Sequence, residues 1–412
     1  MNKYLAVIGL CIPLIIHTII YLYISKRMKT YFNFFTMDFS KAIVIQLLPF
    51  VLGIMNGTNK IESLESVLYF SFILSVAQIV KMCGYLAGSR TKIKQINLDF
   101  LSIKISKRML TYIMFFSYLI MAVSFLMLAS RGGGLAFWIF NNRNAYLSGR
   151  AGNGVFYILF QLFIIVSAVS TWMYYYYTKK GKGLLLFLIV CSYFTGSKSM
   201  IIGMVLLLLF FYDHVVKKIN VKRIVLLGLL ALIALNVLLY VQSGLTLFQY
   251  VSGDYYSNFL RLIHLRKNGG LDYTWGKLAF EDFFWMLIPR ALYADKPFAY
   301  GSTRLAAMFY GEATVAAGNT PSFSEFAVPY VDFGIIGICL ECVVLGFLYG
   351  YVESRIRALI NREGISFVPL LVYALFIIIS PINFVWVYKF IFIGILCIAI
   401  KMFKAKRRIA GT

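Results

Sequence analysis

Acid is what this sequence has least of: 16 Asp and Glu stand against 40 Lys and Arg in 412 residues, and the four types together make up 14% of the chain. A soluble globular chain carries nearer a quarter charged residues, so an ordinary water-facing surface is excluded. Histidine is rarer still, with three copies, and the six cysteines (Cys11, Cys83, Cys191, Cys339, Cys342 and Cys397) all sit inside apolar runs. A Cys/His metal cluster and a disulfide framework are thereby removed, and the Cys339–Cys342 pair reads as helix packing rather than redox chemistry. Also missing are a D-x-D pair for a metal-bound nucleotide sugar, a G-x-S-x-G elbow and a Walker loop. No internal repeat, linker or low-complexity stretch divides the chain.

What is abundant is apolar surface, at 61% of residues. Apolar runs cover roughly 4–24, 42–56, 64–86, 109–130, 155–177, 183–196, 199–214, 224–243, 330–350, 366–381 and 384–402. They predict an all-α polytopic membrane protein of about eleven transmembrane helices. The first run follows Lys3 and ends in no small-residue cleavage site, so it reads as a retained helix. The net charge of +24 falls in short clusters between apolar runs, which fits cytoplasmic loops facing anionic lipid and not nucleic acid. The clusters are Lys26, Arg27, Lys29 and Lys41; Arg90 to Arg108; Lys179, Lys180 and Lys182; Lys217, Lys218, Lys222 and Arg223; Arg355, Arg357 and Arg362; and Lys401 to Arg408. Gathering them on one side requires a hairpin at Thr195-Gly-Ser-Lys-Ser199 and puts the N-terminus outside and the C-terminus in the cytoplasm. Within the spans only Glu341 and Lys389 look deeply placed.

This arrangement leaves two outer segments, 131–154 and 244–329, and three parts in chain order: 1–243, the long loop 244–329, and 330–412. The shorter segment carries Arg131, Arg143 and Arg150 in a glycine-rich, aromatic setting, although short outer loops are usually poor in Arg. The longer one is too aromatic to be disordered: Trp275, Phe280, Phe283, Phe284 and Trp285 surround Glu281 and Asp282, giving a stretch fit to lie in the interface or dip into the bundle. Around it stand Arg261, His264, Arg290, Lys296 and Arg304, with Asp295, Glu312 and Glu325. Arginines that clamp a diphosphate by paired hydrogen bonds stabilise a leaving group without metal or cofactor.

In layout the chain resembles the Wzy-type polymerases of bacterial oligosaccharide repeat units. The resemblance rests on the helix number, the two Arg-bearing outer loops and a passage from Asn319-Thr-Pro through Phe333-Gly334-Ile-Ile-Gly337. A Gly196-Ser-Lys-Ser199 bend, with Lys where the family pattern has Arg, adds to it. So does an Arg, ten residues, then Gly in each loop: Arg143 to Gly154 and Arg290 to Gly301. What the resemblance implies is glycosyl transfer between undecaprenyl-diphosphate-linked oligosaccharides at the outer face of a bacterial plasma membrane, with no cofactor and no metal. Arg290 and Arg143 would hold diphosphate, aided by Arg150, Arg261, Arg304, Lys296, Gly154 and Gly301. Glu312, His264 or Asp295 would take the acceptor proton. A flippase and a chain-length regulator are the partners implied, with membrane lipid and no nucleic acid. The competing readings are an O-antigen ligase, a lipid-linked oligosaccharide flippase or other transporter, and a peptidoglycan polymerase.

Overall fold

The computed structural model describes residues 2–35, 47–57, 63–91, 105–142, 154–196, 198–216, 255–288, 292–297, 299–316, 323–363 and 365–378 as continuous stretches, with scattered positions between them. These residues are helical or in turns. The helices are α1 Asn2–Met28, α2 Leu48–Met55, α3 Leu64–Arg90, α4 Lys107–Arg131, α5 Gly134–Phe140, α6 Gly154–Thr178, α7 Lys182–Tyr193, α8 Lys198–Phe211, α9 Tyr255–Lys267, α10 Lys277–Leu287, α11 Gly301–Tyr310, α12 Glu312–Ala316, α13 Ala327–Glu363 and α14 Phe367–Ile378. Where the surroundings are hydrocarbon, every backbone N–H and C=O must pair within the segment, and a helix does this. The long helices accordingly expose apolar residues, such as Ile8, Ile12, Ile15 and Ile19 on α1 and Phe115, Phe116, Leu119 and Leu126 on α4.

Five helices, α1, α3, α4, α6 and α13, are long and apolar enough to cross a bilayer. The protein is thus an all-α, multi-pass membrane protein, but the expected eleven spans are not reached among the described residues. Spans 183–196, 199–214 and 366–381 appear as the shorter apolar helices α7, α8 and α14. The 12-residue α7 reaches about 18 Å, well short of the ~30 Å hydrocarbon layer. Span 42–56 appears as the eight-residue α2, started by Pro49. Spans 224–243 and 384–402, with Lys389, lie largely outside the described residues.

The chain packs as two compact units, 1–87 with 212–348 and 88–211 with 349–412. In the first, α1, α3 and the first half of α13 run parallel. Ser71 donates to the Gly9 carbonyl at 2.5 Å, and a Cβ on Gly346 would collide with the Lys81 carbonyl oxygen, so only glycine lets α13 approach α3 so closely. At the end where α3 begins, the Tyr256 and Phe259 rings of α9 pack on Phe70, at 4.9 and 5.6 Å between centroids, and Lys267 pairs with Glu65. Near the finish of α1, Thr30 donates to Asp213 at 2.7 Å and the Ile219 N–H donates to the same carboxylate at 2.8 Å. These bonds gather the Lys26–Lys29 cluster with the one that holds Lys218. In the second unit α6 is the central helix, buried from Phe160 to Met173. It joins α4 through Ser167 to Ser117 at 2.9 Å, and α14 stacks Tyr373 on Phe210 of α8 at 3.8 Å. Between α7 and α8 the chain turns at 194–196, with Gly196 at φ 68°, where the sequence predicts a hairpin.

Candidate functional site in the long outer segment

The described residues between 255 and 333 build a helical layer within the first unit, and a break in α13 organises it. Gly334 adopts φ 67° and ψ −147°, outside helical values, and Gly337 lies so close to Pro329 that a Cβ would collide with its carbonyl oxygen. A positive φ suits glycine, and the break frees carbonyl groups of the preceding turn. Arg266 of α9 takes these up, donating to the carbonyls of Tyr330 at 2.5 Å, Val331 at 2.9 Å and Asp272 at 3.2 Å. Its guanidinium also lies over the Tyr273 ring at 3.9 Å. Asp332, fully buried, reaches the other way and accepts from the N–H groups of Leu278 at 3.1 Å and Ala279 at 3.0 Å, and from the Thr274 hydroxyl. A carboxylate at the N-terminus of α10 satisfies its unpaired donors and opposes its dipole.

The buried side of α10 repeats this device on α11. Glu281 accepts from the Gly301 N–H at 3.0 Å, and Asp282 accepts from the Ser302 N–H at 3.1 Å. Arg304 then closes on Glu281 with two bonds, Nε to Oε2 at 3.0 Å and Nη2 to Oε1 at 2.7 Å. Burial pushes the Asp282 carboxyl up to about 6, with the Ser302 bonds pulling the other way.

The candidate residues read from the sequence fall into three groups. Arg304 and Gly301 are brought together at the start of α11, but the Arg304 guanidinium already holds a carboxylate. His264 shares a 2.9 Å hydrogen bond with Asn268, and Lys296 donates to the Ile288 carbonyl at 3.1 Å beside the Tyr300 ring. Arg261, Asp295 and Glu312 are exposed. Arg261 has no hydrogen-bond or ion-pair partner among the described residues, and its guanidinium rests over the Phe309 ring at 5.0 Å. Gly154 opens α6 in open space. Arg143, Arg150 and Arg290 lie outside the described residues. Sequence reasoning gives no role to Arg266 and Asp332, whose partners lie 53 to 65 residues away, and treats Glu281 and Asp282 only as a polar interruption.

A second set of ionisable groups lies within the spanning helices of the first unit, and it corrects the expectation that only Glu341 and Lys389 are deep. Lys81 of α3, 1% exposed, pairs with Asp38 at 2.7 Å, and His17 of α1 approaches the same carboxylate at 4.0 Å. Glu341 of α13 keeps a buried Oε1 with no hydrogen-bond partner among the described residues. Among those residues no group of three or more His, Cys, Asp or Glu is placed to hold a metal ion.

Chemically, this is a layer with cations and carboxylates beside apolar spanning helices, which suits an anionic ligand. Two curated O-antigen polymerases match part of this chain. These proteins, of Salmonella typhimurium and Salmonella typhi, are each 25% identical to this chain over 136 residues, 32% of this chain and 32% of each relative. The chain therefore matches about a third of the length of these relatives, a distant relation. No family model and no solved structure matches it.

Proposed function

We propose that this protein is a glycosyltransferase that polymerises lipid-diphosphate-linked oligosaccharide repeat units at the outer face of a bacterial plasma membrane. The observation that carries the reading is the relation to the two O-antigen polymerases, and the exposed guanidinium of Arg261, without a hydrogen-bond or ion-pair partner among the described residues, supports it. In the proposed reaction the bond between the glycan's anomeric carbon and the carrier diphosphate breaks, and a new glycosidic bond forms to a hydroxyl of the acceptor repeat. The acceptor proton passes to a base, for which Glu312, Asp295 and His264 are the candidates. Negative charge collects on the departing diphosphate, so arginines are suited to hold it without a metal. Arg261 takes that role among the described residues, and Arg143 and Arg290, with Arg150 and Lys296, complete the proposed clamp. Arg304 serves differently, as the partner of Glu281 that fixes α11.

Deleting the gene and resolving the host's surface glycan on a gel tests this. Loss of a polymerase leaves acceptor capped by a single repeat, whereas loss of a ligase leaves none. Complementation with Arg261→Ala is expected to shorten the ladder at unchanged protein level, with Arg261→Lys in between. A wild-type ladder from Arg261→Ala would remove Arg261 from the clamp. One observation favours a second reading: Lys81 and His17 lie buried on spanning helices, with Asp38 against Lys81 and a buried carboxylate oxygen of Glu341 on α13, as in transporters. Intact repeats trapped on the cytoplasmic side of the deletion strain would select transport.

A further inference from the structure

Helix α10 is inverted relative to a helix on a water-soluble surface. Its acids, Glu281 and Asp282, face inward onto α11, while Phe280, Phe283 and Phe284 are 65%, 43% and 44% exposed. Phe280 and Phe284 stack on one another one turn apart, with centroids 6.0 Å apart, so the exposed side is one aromatic face. Water would penalise this face, and a soluble protein does not leave such a patch uncovered. The patch continues directly into the spanning part of the molecule. Trp275, 76% exposed at the head of α10, packs edge-on against Phe333, at 6.4 Å between centroids. From Phe333 the exposed apolar stripe of α13 runs on through Ile336, Leu340, Val343 and Val344. Lys277 stands exposed at the start of α10, where an ammonium can reach headgroup phosphate.

From this continuity we infer that α10 is an in-plane interfacial helix whose aromatic face is covered by the acyl region of the outer leaflet. The occupant is bilayer lipid, because the stripe that a bilayer must cover on α13 meets, through Phe333 and Trp275, the head of the helix that bears the exposed phenylalanines. One face of α10 then reads the depth of the membrane while its other face, through Glu281 and Asp282, sets the position of α11 and Arg304. This placement requires that the chain spans a membrane with α10 on its outer side; it holds whether the protein polymerises or transports.

Tryptophan quenching in proteoliposomes decides it. In full-length protein with Trp138, Trp172, Trp285 and Trp386 replaced by Phe, Trp275 reports the head of the helix, and Phe284→Trp in a Trp275→Phe background reports its middle. Lipid brominated on the upper acyl chain is expected to lower the emission of the Phe284→Trp reporter by about twofold, with weak quenching by aqueous iodide. Strong iodide quenching without an effect of brominated lipid would place the face in water and overturn the proposal. Protection from both quenchers would mean that protein covers the face, and would overturn it equally. The two reporters stand in different backgrounds, so misfolding of one leaves the other to decide, and no outcome depends on glycan synthesis.

Discussion

At the scale of single residues, the segment from α9 to the start of α13 is held by carboxylates that cap helix N-termini. Asp332 satisfies the unpaired donors of α10, and Glu281 with Asp282 satisfies those of α11. Asp282 differs from an ordinary cap because burial raises its carboxyl from 3.8 to about 6. The folded state therefore binds its proton more tightly than the unfolded chain does. Its contribution to stability is complete below pH ~3.8 and is lost as pH rises through about 6. A rise of that size corresponds to about 3 kcal/mol, and solvent reaching this partly buried group reduces that to about 2 kcal/mol. Asp282→Asn keeps an acceptor for Ser302 and removes the titration. Thermal unfolding in detergent is thus expected to lose stability between about pH 4 and 6.5 in the parent and to show a flatter profile in Asp282→Asn; parallel profiles would refute the assignment. None of this is legible in the sequence, where an acidic pair in an aromatic run shows nothing of the helix N-terminus it caps 20 residues later.

Among elements, two close approaches decide the packing of the first unit. The break at Gly334 is visible in the sequence as a glycine pair within a hydrophobic run, since Gly334 and Gly337 both belong to the passage that carries the family resemblance. Its physical reasons, a positive φ and contact with the Pro329 carbonyl, need coordinates. The long helices are legible because a run of apolar residues in hydrocarbon has little alternative to helix. Hydropathy overextends span 183–196, where the chain turns at 194–196, because it does not mark where a helix stops. The second approach, α3 against α13, turns on Gly346, whose added Cβ would overlap the Lys81 carbonyl oxygen and stand 2.9 Å from the Tyr85 nitrogen. Both obstacles are backbone, so no rotamer relieves them and the helices must part. Gly346→Ala is expected to cost about 3 kcal/mol and to lower the melting temperature in detergent. Gly183→Ala, which meets nothing within 4 Å, serves as control and is expected to be neutral or slightly stabilising. Equal melting of the two variants would contradict the close crossing.

For the whole molecule, the charge pattern predicts a sidedness for the spans, and the first unit carries a direct test of it. α1 and α3 run parallel, with Ser71 level with Gly9, so their beginnings share one end and their finishes the other. The first end holds the Lys267–Glu65 pair and the aromatic seat of α9; the second holds the Thr30–Asp213 bond and the gathered basic clusters. Anionic cytoplasmic lipid favours the basic end inside, by about 1 kcal/mol per Lys or Arg near the surface. Single cysteines at Glu65 and Lys267 are therefore expected to react with an impermeant maleimide in intact cells, and cysteines at Lys29 and Lys218 only after permeabilisation. The exposed native cysteines Cys11 and Cys83 lie on α1 and α3 where lipid surrounds them, which keeps the background low. Breaking the exposed Lys267–Glu65 pair costs little, so the substitutions leave the fold intact. The opposite labelling pattern would turn the outer segment toward the cytoplasm, where its arginines could not meet a substrate in the outer leaflet. A mixed pattern within either pair would break the parallel arrangement of α1 and α3 on which the sidedness rests.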